Sequence, residues 1–315
     1  MLGWPRRRGT SPGGFPEVYS PAIMAKIPNI VHFVFGLRQQ WEPFHLMYYL
    51  AIESARQVLK PDRIIMHCHR LPYGMYWDLA REHLELHRVE PVDALEQVDY
   101  SAGHVPEQYR YAHHADFIRL DALIEHGGIY ADIDTLFLKS FPDHLYRQPF
   151  VIGREADVRD ELDGSSRPSL CNALMMAEPG AEFARHWRAE MLSAMNGSWS
   201  NHSCLLAREL ADRMPEAVHI EPEASFMGIP LNQNGLADFL ERDGLDLSEA
   251  FSVHWWEHLW WEEQRQDFSS CSARKLTLET LQQGSSTLAR LAKPFLPDFD
   301  LDALCGLPAE KVHGQ

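Results

Sequence analysis

The sequence predicts an α/β protein whose mostly parallel central sheet is flanked by helices, and three observations carry that expectation. Short apolar runs alternate with amphipathic stretches from Lys26 onward, the pattern that builds strand–helix–strand units. The long helical stretch 106–126 ends in Gly127 and Gly128 and runs straight into another apolar stretch, which reads as a helix stop followed by a strand. Finally, 45% of the 315 residues are hydrophobic, with 15 Phe, 10 Tyr and 9 Trp. That supply suffices for one sizeable core and excludes wholesale disorder.

Taken in order, residues 30–35 (IVHFVF) form an apolar strand closed by Gly36. Phe44, Met47, Tyr48, Ala51, Ala55 and Val58 recur at helical spacing, so 44–59 is a helix stopped by Pro61. A strand over 63–67, a helix over 76–86 and a third strand over 86–89 follow, then the helix 106–126 and a strand over 129–138. The second half is less regular. Strands are expected at 150–153, 170–177, 218–221 and 251–255, and helices at 181–195 and 204–214. A last amphipathic helix spans 275–291. Residues 1–25, rich in Pro and Gly, read as a disordered tail, 26–270 as the core and 271–315 as a helical cap.

Charge and cysteines narrow the function classes. Lys and Arg number 29 against 45 Asp and Glu, a formal charge of −16. A nucleic-acid binder needs a basic footprint on the phosphates, so that class is excluded. The five cysteines (68, 171, 204, 271 and 305) lie far apart without a C-x-x-C pair and read as reduced thiols. No run reaches the roughly 20 apolar residues of a membrane span, and no apolar segment follows the N-terminal basic residues. Cytoplasmic residence is the expectation.

The densest chemistry lies in 113–136, HHADFIRLDALIEHGGIYADIDTL. Asp116 and Arg119 share a helix face. Beyond the Gly-Gly stop the chain carries Tyr130, Asp132 and Asp134, and strand alternation would send the two carboxylates to one side about 7 Å apart. Unpartnered carboxylates are costly in an otherwise apolar strand, so a bound hard cation with open positions for a diphosphate is the better explanation.

Within it, ADFIRLDALIEHGGIYADID (115–134) closely resembles the DXD-containing sugar-binding region of glycosyltransferases. That group holds yeast-type α-mannosyltransferases, α-1,4-galactosyl- and N-acetylglucosaminyltransferases and bacterial capsular polysaccharide enzymes. The spacing of Asp116, Arg119, Tyr130, Asp132 and Asp134 also resembles the glucosyltransferase domains of clostridial toxins. The resemblance implies a GT-A-like fold, a nucleotide-sugar donor (UDP- or GDP-hexose), Mn²⁺ or Mg²⁺, and retention of anomeric configuration at a hydroxyl acceptor. It makes Asp134 a direct metal ligand and places Asp132 between the ribose and the metal shell. Asp116 and Arg119 would hold donor-sugar hydroxyls. Residues 27–35 (IPNIVHFVF) resemble the family's opening strand, with Phe35 where an aromatic stacks on the base. Residues 171–177 (CNALMMA) resemble the strand that brings an Asn, here Asn172, to the donor sugar.

Residues 253–261, VHWWEHLWW, hold four of the nine Trp and resemble the family's closing His-x-Trp-x-x-x-Trp pattern. That implies His254 at the metal and diphosphate, Trp256 and Trp260 as nucleotide-sugar-binding residues, and a Trp closing over the leaving group. The same residues also fit H-x-x-E-H, an inverted zinc-hydrolase motif. On a helix it would pair His254 and His258 on Zn²⁺ with Glu257 as base. A sugar-nucleotide-binding protein without transfer is the remaining alternative. His67 and His69 flank a strand end and read as packed or surface histidines. The acidic run 155–163 reads as a solvated loop, or else as a segment that shapes an acceptor groove.

Overall fold

A computed structural model describes residues 27–98, 100, 105, 109–159, 164–232, 234–260, 271 and 273–298. The expected tail 1–25, the first residues of the 106–126 helix and the end of the acidic run lie outside them. So do Trp261 and the last part of the expected cap.

The chain opens with β1 (Ile30–Phe35), α1 (Leu46–Ser54) and β2 (Arg63–Cys68), followed by α2 (Met75–Ala80) and β3 (Glu85–Arg88). Next come α3 (Arg110–His126), β4 (Gly128–Ala131), β5 (Thr135–Phe137) and β6 (Phe150–Arg154). A two-residue ribbon, β7 (Val158–Arg159) and β8 (Ser166–Arg167), precedes β9 (Leu170–Ala177). The rest holds α4 (Glu182–Ala194), α5 (Leu206–Arg213), β10 (His219–Glu221), α6 (Glu223–Phe226), α7 (Gly235–Leu240) and β11 (Ser252–His254), then α8 (Leu278–Gln283) and α9 (Thr287–Ala292).

Seven strands form one sheet in the order β10-β6-β9-β4-β1-β2-β3. All neighbours are parallel except at β9, which runs against both β4 and β6. The expected mostly parallel α/β architecture is therefore the observed one. Strands β1, β4 and β9 are apolar at nearly every position because both faces are covered. Val31, Phe33, Ile64, Met66 and Met176 face a core shared with α1, α2, α7 and the C-terminal helices. Val34, Tyr130, Phe150, Ile152 and Met175 face the core beneath α3, α4 and α5. Chain order reverses between β1 and β4, and such a switch opens a crevice at the strands' carboxyl ends.

Both glycines that stop α3 are required by backbone geometry. Gly127 (φ 64°) and Gly128 (φ 106°) lie where side chains are strained, and a Cβ on Gly128 would meet the Ile30 carbonyl oxygen at 2.5 Å. The chain can thus leave the helix and enter the sheet beside β1 within one residue.

Three expectations are corrected. The strand 129–138 is broken at Asp132, with β5 leaving the main sheet to pair with β11. The helix 76–86 stops at Ala80 and tightens into a short turn before β3. The helix 275–291 is two helices, because the Gly284 N–H closes α8 on Thr280 while the Ser286 side chain caps α9. The four described cysteines are free. No helix among the described residues is long and apolar enough to cross a membrane.

A buried histidine pair joins β1 to β2. The His32 Nε2 donates to the Gly127 carbonyl at 2.8 Å, which leaves Nδ1 to accept from His67 Nε2 at 3.0 Å. Burial, reinforced by neighbouring histidines, lowers His32 from 6.5 to about 4 and His67 to about 3. The unfolded chain therefore takes up protons first as the pH falls. The pair's stabilisation is complete above about pH 6.5 and is lost as the pH drops towards 4, by about 3 kcal/mol for His32 alone. Denaturant unfolding followed between pH 7 and pH 4 is expected to show this slope, flattened in His67→Gln; equal slopes in the two proteins would contradict it.

Candidate active site

The two aspartates meet through a turn, not through strand alternation. The Asp132 N–H donates to the Ala173 carbonyl at 2.7 Å, and the Thr135 N–H returns to the Asp132 carbonyl at 3.1 Å, so 132–135 reverses as β4 ends. β5 then pairs antiparallel with β11, setting Thr135 opposite His254. This pairing brings a histidine 120 residues away onto the motif: His254 Nε2 lies 3.0 Å from Asp134 Oδ1 and 3.9 Å from Asp132 Oδ2. The Glu257 backbone N–H donates to the other Asp134 oxygen at 2.8 Å.

Electrostatics divide the two carboxylates. Burial raises both, but the His254 cation and the Glu257 N–H more than offset it at Asp134, which is held below the usual carboxylate range. Asp132 is pushed up by burial, and Asp134's adjacent charge adds to the push while Arg119 opposes it. Burial disfavours the His254 cation, yet Asp134 and Asp132 raise its pKa. Asp132, Asp134 and His254 present ligand atoms within 4.8 Å of one another, and this oxygen-rich set fits a hard divalent cation. The His254 Nδ1 and the Trp256 indole N–H are buried without a partner among the described residues.

Behind the turn, Arg119 is a buried hub. Its NH2 lies 3.2 Å from Asp116 and 3.3 Å from Asp132, its NH1 donates to the Asn172 carbonyl at 2.8 Å, and its guanidinium covers the Tyr130 ring. Burial lowers the Arg119 pKa, but Asp132, Tyr130 and Asp116 outweigh that and raise it. The Tyr130 hydroxyl donates to Asp132 at 2.6 Å. Asp116 accepts from the Asn172 amide at 2.7 Å and from His202 Nε2 at 2.8 Å. The structure thus brings Asp116, Arg119, Tyr130, Asp132, Asp134, Asn172 and His254 together.

Trp260 is not with them. It is fully buried, and its indole N–H donates to the Trp255 carbonyl, so this expected nucleotide-sugar-binding residue is a core residue here. Trp256 does line the site, its ring 4.3 Å from His254, and it holds a left-handed backbone (φ 54°) rare for a bulky side chain. The H-x-x-E-H zinc-hydrolase alternative fails on geometry. His254 ends a strand and 257–259 is a short turn, so no helical face pairs His254 with His258.

Two cavities meet at this point. A deep one of about 160 Å³ is lined by Asp116, Arg119, Tyr130, Asp132, Asn172 and Trp256. A groove of about 1400 Å³ is lined by Phe35, Arg38, Trp41, Tyr48, Tyr76 and Tyr111, and it shares Val34, Ala115 and Glu257 with the first. Phe35 ends β1 and packs against Phe44 and Tyr48. Sequence reasoning missed His202, which no local pattern marks. Glu257, which the sequence marks only as the base of the zinc-hydrolase alternative, accepts from the Tyr48 hydroxyl at 2.7 Å and is pushed up to about 7 by burial and by Asp134. The Glu155 side chain lines the deep cavity, so the acidic run is not wholly a solvated loop.

Residues 80–151 match the family described as glycosyltransferase sugar-binding region containing DXD motif. A curated relative, glucan organizing enzyme 1 of Cryptococcus neoformans var. grubii, is 30% identical over 297 residues, covering 92% of this chain and 76% of its own. Among solved structures, PaToxG glycosyltransferase aligns over 60% of this chain and 71% of its own at 15% identity and a TM-score of 0.38. A nucleoside-diphosphate-sugar pyrophosphorylase from Vibrio cholerae aligns over 61% and 91% at 10% identity and a TM-score of 0.37. The family match spans the Asp116 to Asp134 segment, and the curated relative extends the likeness across nearly all of the chain. This protein accordingly belongs to the glycosyltransferases that carry a DXD-containing sugar-binding region.

Proposed function

We propose that this glycosyltransferase moves a hexose from a UDP- or GDP-linked sugar to a hydroxyl acceptor, with Mn²⁺ or Mg²⁺ held by Asp132, Asp134 and His254. The observation that carries this reading is the convergence of two carboxylates and an imidazole where the deep cavity meets the aromatic groove. The two carboxylates raise each other's cost of ionisation, and a cation between them relieves that cost. When bound, the cation supplies charge neutralisation for the departing diphosphate.

The chain's own groups do the rest. Asp116, Arg119 and Asn172 line the deep cavity and hold the sugar hydroxyls, with Arg119 fixed by Asp116, Asp132, Tyr130 and the Asn172 and Ala115 carbonyls. Phe35, at the end of β1, offers a ring face to the base, and Asp132 meets the ribose. The unpartnered Trp256 indole N–H is a donor for the leaving phosphate oxygens. Asp116, Asp132 and Asp134 are each held by Arg119, His202 or His254 rather than poised as a covalent nucleophile. We therefore favour front-face attack with retention, the departing phosphate oxygen taking the acceptor's proton. Residues 26–270 are the proposed catalytic region and 271–315 the cap. The buried free thiols support a reducing, cytoplasmic setting.

Incubation with a panel of UDP- and GDP-hexoses plus Mn²⁺ or Mg²⁺, with released nucleotide measured, tests the proposal. Metal-dependent release from one donor is expected. Donor binding without release, with or without an added sugar acceptor, would instead indicate a sugar-nucleotide-binding protein.

A further inference from the structure

At the far edge of the sheet a second constellation stands apart from the transferase chemistry. His219 and Glu221 are two residues apart on edge strand β10, so they share a face, and His219 Nε2 lies 2.7 Å from Glu221 Oε1. His144 approaches from the loop between β5 and β6, its ring centroid 6.2 Å from that of His219 and nearly perpendicular to it. The three side chains present ligand atoms within 4.8 Å of one another.

The frame around them is firm. His144 directly precedes the turn Leu145–Arg147, whose Leu145 is fully buried and donates its N–H to the Pro142 carbonyl at 3.0 Å. β10 is held by β6, with His219 opposite Val151 and Glu221 opposite Gly153. Glu221 is buried, His219 half-buried and His144 exposed, so the cluster has a closed floor and an open mouth. It is separated from the aspartates across the sheet, because β6 and β9 stand between β10 and β4, whose end leads into Asp132.

We infer that His144, His219 and Glu221 form a second metal site, for Zn²⁺ or a similar borderline transition ion, which pins the 138–149 loop to the edge strand. Two imidazoles and one carboxylate are a recognised zinc set, with bonds of about 2.0–2.2 Å and an open fourth position for water. Imidazole selects such ions over Mg²⁺ or Ca²⁺. Zinc would take the place of the hydrogen that His219 Nε2 now directs at Glu221, with the imidazole hydrogen then carried on Nδ1. The ion ties a loop to β10, one of the two edge strands of the sheet among the described residues.

The test counts metal in the full chain. After chelation and dialysis against Zn²⁺, wild type is expected to hold one more equivalent than His144→Ala or His219→Ala, by mass spectrometry of bound zinc. A zinc-soaked crystal is expected to give an anomalous peak between the three side chains. Because His144 is exposed, His144→Ala retains the fold, and its donor turnover with excess Mn²⁺ is expected to match wild type. Equal zinc counts in wild type and both variants, or no anomalous peak at the cluster, would overturn the proposal without touching the transferase reading.

Discussion

Asp134→Asn is expected to lower nucleotide-sugar turnover by about 10³-fold, about 4 kcal/mol of barrier, while the fold persists. The side chain keeps its shape but loses its charge. Asp134 is buried, with one oxygen facing His254 and the other accepting the Glu257 N–H. An amide there must turn its NH₂ towards one of those two donors, and it can no longer hold a cation. His254 also loses the carboxylate that chiefly raises its pKa. Burial then weighs more heavily against its cation, which limits the folding cost of losing the carboxylate. Steady-state nucleotide release, with circular dichroism as the folding control, reads both effects. Turnover within threefold of wild type in a folded variant would remove Asp134 from the chemistry.

Arg119→Met combines a large stability loss with a large activity loss. Arg119 is buried and stands between Asp116 and Asp132. Removing one partner of such a buried pair costs about 3–5 kcal/mol, because the remaining charge stays desolvated. A drop in unfolding midpoint of about 10 °C follows for a chain of this size. Turnover is expected to fall by about 10²-fold, since the donor sugar loses an anchored contact. Arg119→Lys separates the two roles. Its ammonium restores charge between the carboxylates and hence much of the midpoint, but it cannot also span Asn172 and Ala115 as the guanidinium does. Full activity in Arg119→Lys would mean that charge alone suffices.

These two residues also show what the sequence makes legible. Strands β1, β2, β4 and β9 read as apolar runs because both their faces are buried. The D-x-x-R, Gly-Gly and D-x-D spacing reads as a unit because helix and strand geometry are local. The break at Asp132 does not, since no Gly or Pro marks it. It follows from β5 pairing with β11, a contact between Thr135 and His254 that lies far beyond any local pattern. The same distance hides His202, whose role depends on where the segment before α5 packs. In 275–291 the apolar periodicity runs on across Gly284-Ser285-Ser286, and only that short Gly-Ser-Ser run marks where one helix ends and the next begins. Trp260 fits a motif by spacing, but packing places it in the core.

Asp132 and Asp134 are proposed to bind the donor's diphosphate through a divalent cation. Calorimetric titration of UDP and GDP into the protein, with Mn²⁺ and then with excess chelator, tests it most directly. Binding of at least one nucleotide is expected with Mn²⁺, absent in chelator and absent in Asp134→Asn. Equal affinity with and without the metal would contradict the claim.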